Sequence, residues 1–330
     1  MSSSVVASLI LISPILYTLV AYPDTFILSW NEGRGGFLFA MAFIAAELVG
    51  LKYSLTRKRL LVVAGMAALT ISYFIALPLG LGDYIRNGKD TYNVSLVDSW
   101  MWMWDFIVMA IFVASSTALL FGKKWYKIAS AGAIYLAGSA LILALDAFFP
   151  FDSLGPLQII VPVYLQIDQT VINFIDTHII NVGPQTPNNS AEPAIARGNL
   201  LVLNGLHGPF ALQVFWPSAG VHSMIIYTLV MLALLIKMDI PLTRKMIYFA
   251  AGTLGTFATN LVRIVSLSLY ALVVTTDVQE WEAFHSIAGE IMFLPWLGVY
   301  LGVVIYIENK RIRRLQAKAE GGAASNQSTR

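Results

Sequence analysis

Arg57-Lys58-Arg59-Leu60-Leu61-Val62-Val63-Ala64-Gly65-Met66-Ala67-Ala68-Leu69-Thr70-Ile71-Ser72-Tyr73-Phe74-Ile75-Ala76-Leu77 sets three cations directly before an uninterrupted apolar run. No side chain from Leu60 to Gly80 is charged, and about 20 such residues are what an α-helix needs to cross the hydrocarbon of a bilayer. A helix on a soluble core needs apolar residues on one stripe only. The rest of the chain repeats the pattern: 57% of its residues are hydrophobic and 12% charged, and the mean hydropathy is +0.70. Comparable runs fall at residues 4–22, 36–55, 101–122, 128–149, 219–237, 246–274 and 286–307. The expectation is an all-α polytopic membrane protein with about eight transmembrane helices.

Cytoplasmic loops retain an excess of lysine and arginine, so these residues orient the bundle. Lys52, Arg57, Lys58 and Arg59 share one loop, Lys123, Lys124 and Lys127 a second, Lys237, Arg244 and Lys245 a third, and Lys310, Arg311, Arg313, Arg314 and Lys318 the tail. All fall on one side if both termini are cytoplasmic; the opposite loops hold only Arg34, Arg86, Lys89 and Arg197. The first run lacks a basic leader and a small-residue cleavage site and reads as a helix, not a signal peptide. The net charge of +2 comes largely from these loops and gives no reason to expect nucleic acid.

Four regions follow: residues 1–149 as a five-helix membrane half, 150–218 as an extracytoplasmic segment, 219–307 as a three-helix half, and 308–330 as a basic cytoplasmic tail. Within the second, Leu157, Ile160, Val161, Tyr164, Val171, Ile172, Ile175 and Ile179 recur at helical spacing. Gln158, Gln166, Asp168, Gln169, Asn173 and Asp176 lie between them, which suits a helix lying along the outer interface. A ninth crossing there would invert every later loop against the charge bias. Residues 181–198, rich in Pro, Gly and Asn, read as a loop that includes the sequon at Asn188. Residues 200–203 and 210–215 read as a short hairpin with Asn204-Gly205 as its turn, leading into the sixth span.

Three polar groupings then stand near the outer ends of the last three spans: Ser218-Ala219-Gly220-Val221-His222, Asn260-Leu261-Val262-Arg263 and His285-Ser286-Ile287-Ala288-Gly289. Ser218 after Pro217 opens a helix, where free amides and the helix dipole stabilise an oxyanion; the same position suits an N-cap. Gly220 permits close backbone approach, and His222 lies one turn below Ser218. Arg263 stands inside an apolar helix, where a guanidinium costs at least ~2.5 kcal/mol unless paired or hydrated. Asn260 is one turn from it on the same face. Asp105, Asp146 and Glu290 are candidate structural partners for that charge. No cysteine is present, which excludes disulfides, thiolate metal ligands and a thiol nucleophile. No cofactor or metal motif is found.

At these residues the chain resembles the exosortase and archaeosortase family of membrane protein-processing enzymes. That family's pattern is Cys-x-Gly at a helix start, Asn-x-x-Arg within the next helix and His-x-x-x-Gly at the start of another. The departure is serine at the cysteine position, in which the chain is similar to the thaumarchaeosortase type. The resemblance implies a sorting peptidase-transpeptidase. Such an enzyme cleaves a C-terminal signal of short motif, transmembrane helix and basic cluster on secreted proteins, then passes the new C-terminus to a lipid or other acceptor. It assigns Ser218, Arg263 and His285 to catalysis, with Gly220, His222 and Asn260 in support. A serine needs a base in contact where a thiolate does not; His285 is the first candidate and His222 the second. Two other classes fit the composition. One is a transporter using Glu47, Asp105, Asp146, Arg263 and Glu290 as intramembrane ion or proton sites; the other is a silent homologue that binds sorting signals without cutting them.

Overall fold

The computed structural model describes residues 3–26, 33–48, 51, 53, 55–151, 153, 155–180, 185–186, 189–190 and 193–327. Lys52, Asn188 and the side chain of Glu290 lie outside that description. The chain folds as α1 (Ser3–Ala21), α2 (Gly36–Leu48), α3 (Arg57–Ala76), α4 (Leu81–Tyr92), α5 (Val97–Phe121), α6 (Trp125–Ile128), α7 (Ala131–Phe148), α8 (Gly155–Gln158) and α9 (Ile160–Ile175). Strands β1 (Gln185–Thr186), β2 (Asn189–Ser190), β3 (Ala194–Arg197), β4 (Leu200–Gly205) and β5 (Gly208–Gln213) come next. Helices α10 (His222–Lys237), α11 (Leu242–Val273) and α12 (Val278–Gln327) complete it.

Seven helical stretches among the described residues are long and apolar enough to cross a membrane, so the chain is a multi-pass, mainly helical membrane protein. Within the expected second span, α2 is described over 13 residues, Gly36–Leu48. It buries Phe37, Ala40, Ile44 and Leu48 on one stripe and packs between α1 and α7. Phe37 lies 4.7 Å from Phe106 of α5, ring centre to ring centre. Helix α4 was not expected. It is amphipathic, buries no residue fully, and is tied to the bundle by Trp100 Nε1, which donates to the Ile85 carbonyl at 2.8 Å.

Connections gather at two ends of the bundle. At one end the Tyr22 hydroxyl donates to Phe74 O at 2.6 Å, Ser95 N–H donates to Ala147 O at 3.1 Å and Leu206 N–H to Leu272 O at 2.9 Å. At the other, Arg59 Nη1 reaches Leu120 O at 3.0 Å, Lys127 pairs with Asp239 at 3.0 Å, and Lys237 pairs with Glu47, whose Oε1 also accepts Ala131 N–H at 2.8 Å. The basic loops share this second end and the sheet occupies the first.

Two departures from expectation lie in the segment before α10 and a third in α12. The sheet has three strands in the order β3-β4-β5, all antiparallel. Its hairpin turns at Leu206-His207, between the paired glycines Gly205 and Gly208, not at Asn204-Gly205. Gly208 takes φ +119°, a conformation glycine alone adopts freely. Finally, α12 begins at Val278 and runs unbroken past residue 308, so the expected tail is helical up to Gln327, and His285 lies in its second turn. Helix α9 has 16 residues and packs on α11 and β3; it is not among the seven candidate spans.

Two apolar cores result. The larger joins α1, α2, α3, α5, α7, α10 and α12; the smaller joins α9, the sheet and α11 through residues such as Leu165, Leu203, Leu212 and Leu272. A buried ion pair pins the first. Arg34 reaches Asp105 Oδ2 with Nη2 at 2.8 Å and Nε at 2.9 Å, and Thr25 Oγ1 with Nη1 at 2.9 Å. The Tyr73 hydroxyl donates to Asp105 Oδ1 at 2.9 Å, and the guanidinium lies over the rings of Tyr22 and Trp102. Breaking one side of such a pair strands the other charge, at a cost of about 3–5 kcal/mol. Arg34→Met is therefore expected to lower the thermal midpoint in detergent sharply, while Arg34→Met with Asp105→Leu recovers most of the loss.

Candidate functional site

Pro217–Val221 is a wide turn leading into α10, with Gly220 at φ +89° and ψ +14° breaking the helical run. Ser218 therefore lies inside a kinked turn and does not cap a helix; the N-cap of α10 is Val221. The kink leaves carbonyls without helical partners, and α11 supplies them. Asn260 Nδ2 donates to Gly220 O at 3.0 Å, and Arg263 Nη2 donates to Ser218 O. The i, i+3 spacing that puts Asn260 and Arg263 on one face of α11 thus serves two carbonyls of one turn. Asn260 is 1% exposed and Arg263 9%.

The two motif glycines have distinct reasons. A Cβ on Gly220 would stand 2.3 Å from Asn260 Cγ and Nδ2, so both its backbone conformation and the approach of Asn260 require glycine. A Cβ on Gly289 would meet Arg263 Nη1 at 3.3 Å; this glycine lets α12 lie against the guanidinium. The Arg263 Nε has no hydrogen-bond partner among the described residues.

Ser218 and His285 line the same cavity, of about 330 Å³, whose other walls are β5, Ile264, Leu267 and Ser268 of α11, and Trp281 and Glu282 of α12. The His285 ring stacks on Trp281 at 5.2 Å and 9°, and Trp281 Nε1 donates to Leu267 O at 3.2 Å. This pairing orients the imidazole beside the cavity. No hydrogen bond joins the Ser218 hydroxyl to an imidazole among the described residues. His222 is placed elsewhere: its Nε2 lies 3.2 Å from Asp146 Oδ1, and its ring meets Trp216 edge-on at 5.2 Å. The kink at Gly220 turns it off the Ser218 face, because the two no longer share a regular helix.

Of the three carboxylates suggested as partners for Arg263, the two with described side chains are otherwise engaged: Asp105 by Arg34 and Asp146 by His222. Glu47, the remaining described carboxylate of the ion-site alternative, is held by Lys237.

A pair not anticipated as a site lies behind the cavity. Ser268, which lines it, donates through Oγ to Asp168 Oδ2 at 2.7 Å, while Asp168 Oδ1 has no partner among the described residues. Asp168 is 0% exposed. Its sequence signal was the apolar stripe itself, since Val161, Tyr164, Leu165, Asp168 and Ile172 form the buried face of α9, with a carboxylate where an aliphatic residue belongs. Burial pushes its pKa up to about 6 from 3.8, against a smaller opposite pull from Ser268.

A carboxyl with a raised folded pKa destabilises the fold as it ionises. The penalty is absent below pH ~4, grows as pH rises toward 6, and levels off above, at on the order of 3 kcal/mol. Asp168→Asn, which keeps an acceptor for Ser268, is expected to raise the thermal midpoint more at pH 7.5 than at pH 4.5. At Gly220, an alanine is expected to cost about 1–3 kcal/mol from backbone strain alone, and Asn260→Gly in the same chain, which removes the Cβ at 2.8 Å as well as the amide, relieves the contact but not the backbone strain. Thermal unfolding of the single and double variants separates the two contributions.

The comparisons with known proteins add no relative to this geometry: no protein family, no curated protein and no solved structure matches the chain.

Proposed function

We propose that this chain is a serine-dependent sorting peptidase-transpeptidase of the membrane, cutting a C-terminal signal on secreted proteins. The observation that carries the reading is the meeting of Ser218 and His285 in one cavity, with Arg263 bound to the Ser218 carbonyl. The three groups arise from α11, α12 and the turn before α10, the same three places where the sequence resembles the exosortase and archaeosortase family.

In this reading α2 completes an eighth crossing, both termini and the basic loops are cytoplasmic, and the sheet end with the cavity faces outward. Ser218 Oγ attacks the carbonyl carbon of the scissile amide as His285 takes the hydroxyl proton. The tetrahedral oxyanion is met by amides of the kinked turn, which Arg263 holds in place through the Ser218 carbonyl without itself being among the cavity's lining residues. Collapse breaks the C–N bond, His285 returns the proton to the departing amine, and an acyl-serine ester remains. Water or the hydroxyl or amine of a lipid acceptor then attacks the ester and releases Ser218. Trp281 holds the imidazole, and Asn260 and Gly220 hold the turn. His222 supports the site by packing between Trp216 and Asp146, not as a base. No cofactor is required by these steps.

The test is processing of a secreted reporter bearing a C-terminal motif, transmembrane helix and basic cluster. Ser218→Ala and His285→Ala are expected to abolish it, and Arg263→Ala to slow it at least ~10²-fold, while each protein remains folded in membranes. His222→Ala retains more activity than His285→Ala. Full processing by Ser218→Ala eliminates the serine mechanism, and faster processing by Ser218→Cys indicates a site compatible with thiol chemistry. Ion-driven uptake in proteoliposomes that survives loss of Ser218 would replace the reading with a transporter.

A further inference from the structure

The sheet order β3-β4-β5 leaves β5 with a strand neighbour on one side only. Which of its backbone groups face the open side follows from the ladder. Val214 N–H donates to Asn199 O at 2.8 Å, and antiparallel pairs alternate between hydrogen-bonded and non-bonded. Leu212 opposite Leu201 and Phe210 opposite Leu203 are thus the bonded pairs. Asn204, opposite Pro209, fits the same phase, because its N–H turns away from β5 to Pro193 O at 2.8 Å. The residues that direct N–H and C=O outward are therefore Ala211 and Gln213, with Pro209 offering a carbonyl alone.

That open side adjoins the candidate site. The cavity touches Phe210 and Leu212, whose side chains are buried, and also Ala211 and Gln213, whose side chains are exposed. A void in contact with both faces of a strand runs along its edge. Ser218 lines the same void, five residues beyond Gln213 on the same chain. Across it, Ile264, Leu267 and Trp281 form an apolar wall.

We propose that β5 is the substrate-docking edge. An extended segment of the protein to be cut pairs with Ala211 and Gln213 as a fourth strand, and the pairing delivers its scissile carbonyl to Ser218. The inference rests on Ser218 being the nucleophile. Pairing through the main chain reads backbone conformation, so it selects an extended polypeptide and rejects a helix. The sorting segment must then be unwound next to its membrane helix at the point of cleavage. Alternate side chains of the bound segment face the apolar wall and the solvent, as the pleat requires.

The test uses the wild-type protein in detergent and two Ser218-directed probes: an alkyl fluorophosphonate, and an alanine-rich hexapeptide ending in a diphenyl phosphonate. The peptide is expected to label Ser218 at least ~10-fold faster than the alkyl probe. N-methylation, scanned along the peptide, should slow labelling ~10-fold at every second residue only, about the value of one hydrogen bond. Hydrogen exchange at the amides of Ala211 and Gln213 should slow in the peptide adduct and not in the alkyl adduct. A peptide no faster than the alkyl probe, equal sensitivity at adjacent residues, or unchanged exchange at both amides overturns the docking edge. Failure of both probes to label Ser218 instead removes the serine reading, and the edge proposal with it.

Discussion

Two backbone carbonyls in a non-helical turn are the constraint around which this end of the molecule is arranged. Away from water an unpaired carbonyl is costly, and irregular backbone persists there only if something else satisfies it. Gly220 breaks the run into α10, and α11 answers with Asn260 on one carbonyl and Arg263 on the other. The bonds fix the depth of α11 against the turn. They also explain how a guanidinium is retained in an apolar helix without a carboxylate beside it among the described residues. Because Gly289 admits α12 against the same guanidinium, the position of the third helix follows from the first two.

The site lies where the two cores meet. The helical bundle supplies α10 and α12, while α9 and the sheet cover α11 from the other side. Gln158 stitches the junction, taking Trp216 N–H on Oε1 at 2.8 Å and donating from Nε2 to Val214 O at 3.3 Å. Elsewhere charges are paired within the chain, as in Arg34 with Asp105 and Lys237 with Glu47. Asp168 differs from these, a buried carboxylate with a serine hydroxyl on one oxygen and no partner on the other among the described residues.

Much of this architecture was legible because the bilayer imposes a length and a charge bias that composition reveals directly. Arg57, Lys58 and Arg59 ahead of α3 are an example. The face shared by Asn260 and Arg263 was legible because helical spacing alone determines it. The kink was not, since Pro217-Ser218-Ala219-Gly220 carries no periodicity and the bond that holds it comes from Asn260, forty residues away. The same kink removed His222 from the candidate site. The hairpin turn moved from Asn204-Gly205 to Leu206-His207 because Gly205 and Gly208 pair across it and a tertiary bond from Leu206 to Leu272 anchors it. Asp168 was hidden by its chemistry: read as polar, it was assigned to the wet face, although its spacing places it on the dry one.

Helix α12 is a continuous helix of 50 residues with Pro295 inside it, about 75 Å along its path at 1.5 Å per residue, and it packs principally on α11. Its grip is firm at the basic end, where Glu308 accepts Arg244 at 3.0 Å, Tyr248 at 2.5 Å and Arg311 at 3.1 Å. At mid-height Trp296 stands where a Cβ on Gly255 would be 2.0 Å from its ring. His285 lies on the far arm, about 35 Å from Glu308 along the helix. The far arm is held as well, by Trp281 Nε1 on Leu267 O at 3.2 Å and by Phe284 stacked on Tyr270 at 4.3 Å, with Pro295 between the two holds. The alignment of the imidazole with the serine turn therefore rests on contacts with α11 close to it, set apart from the Glu308 clamp by a proline that removes one helical hydrogen bond.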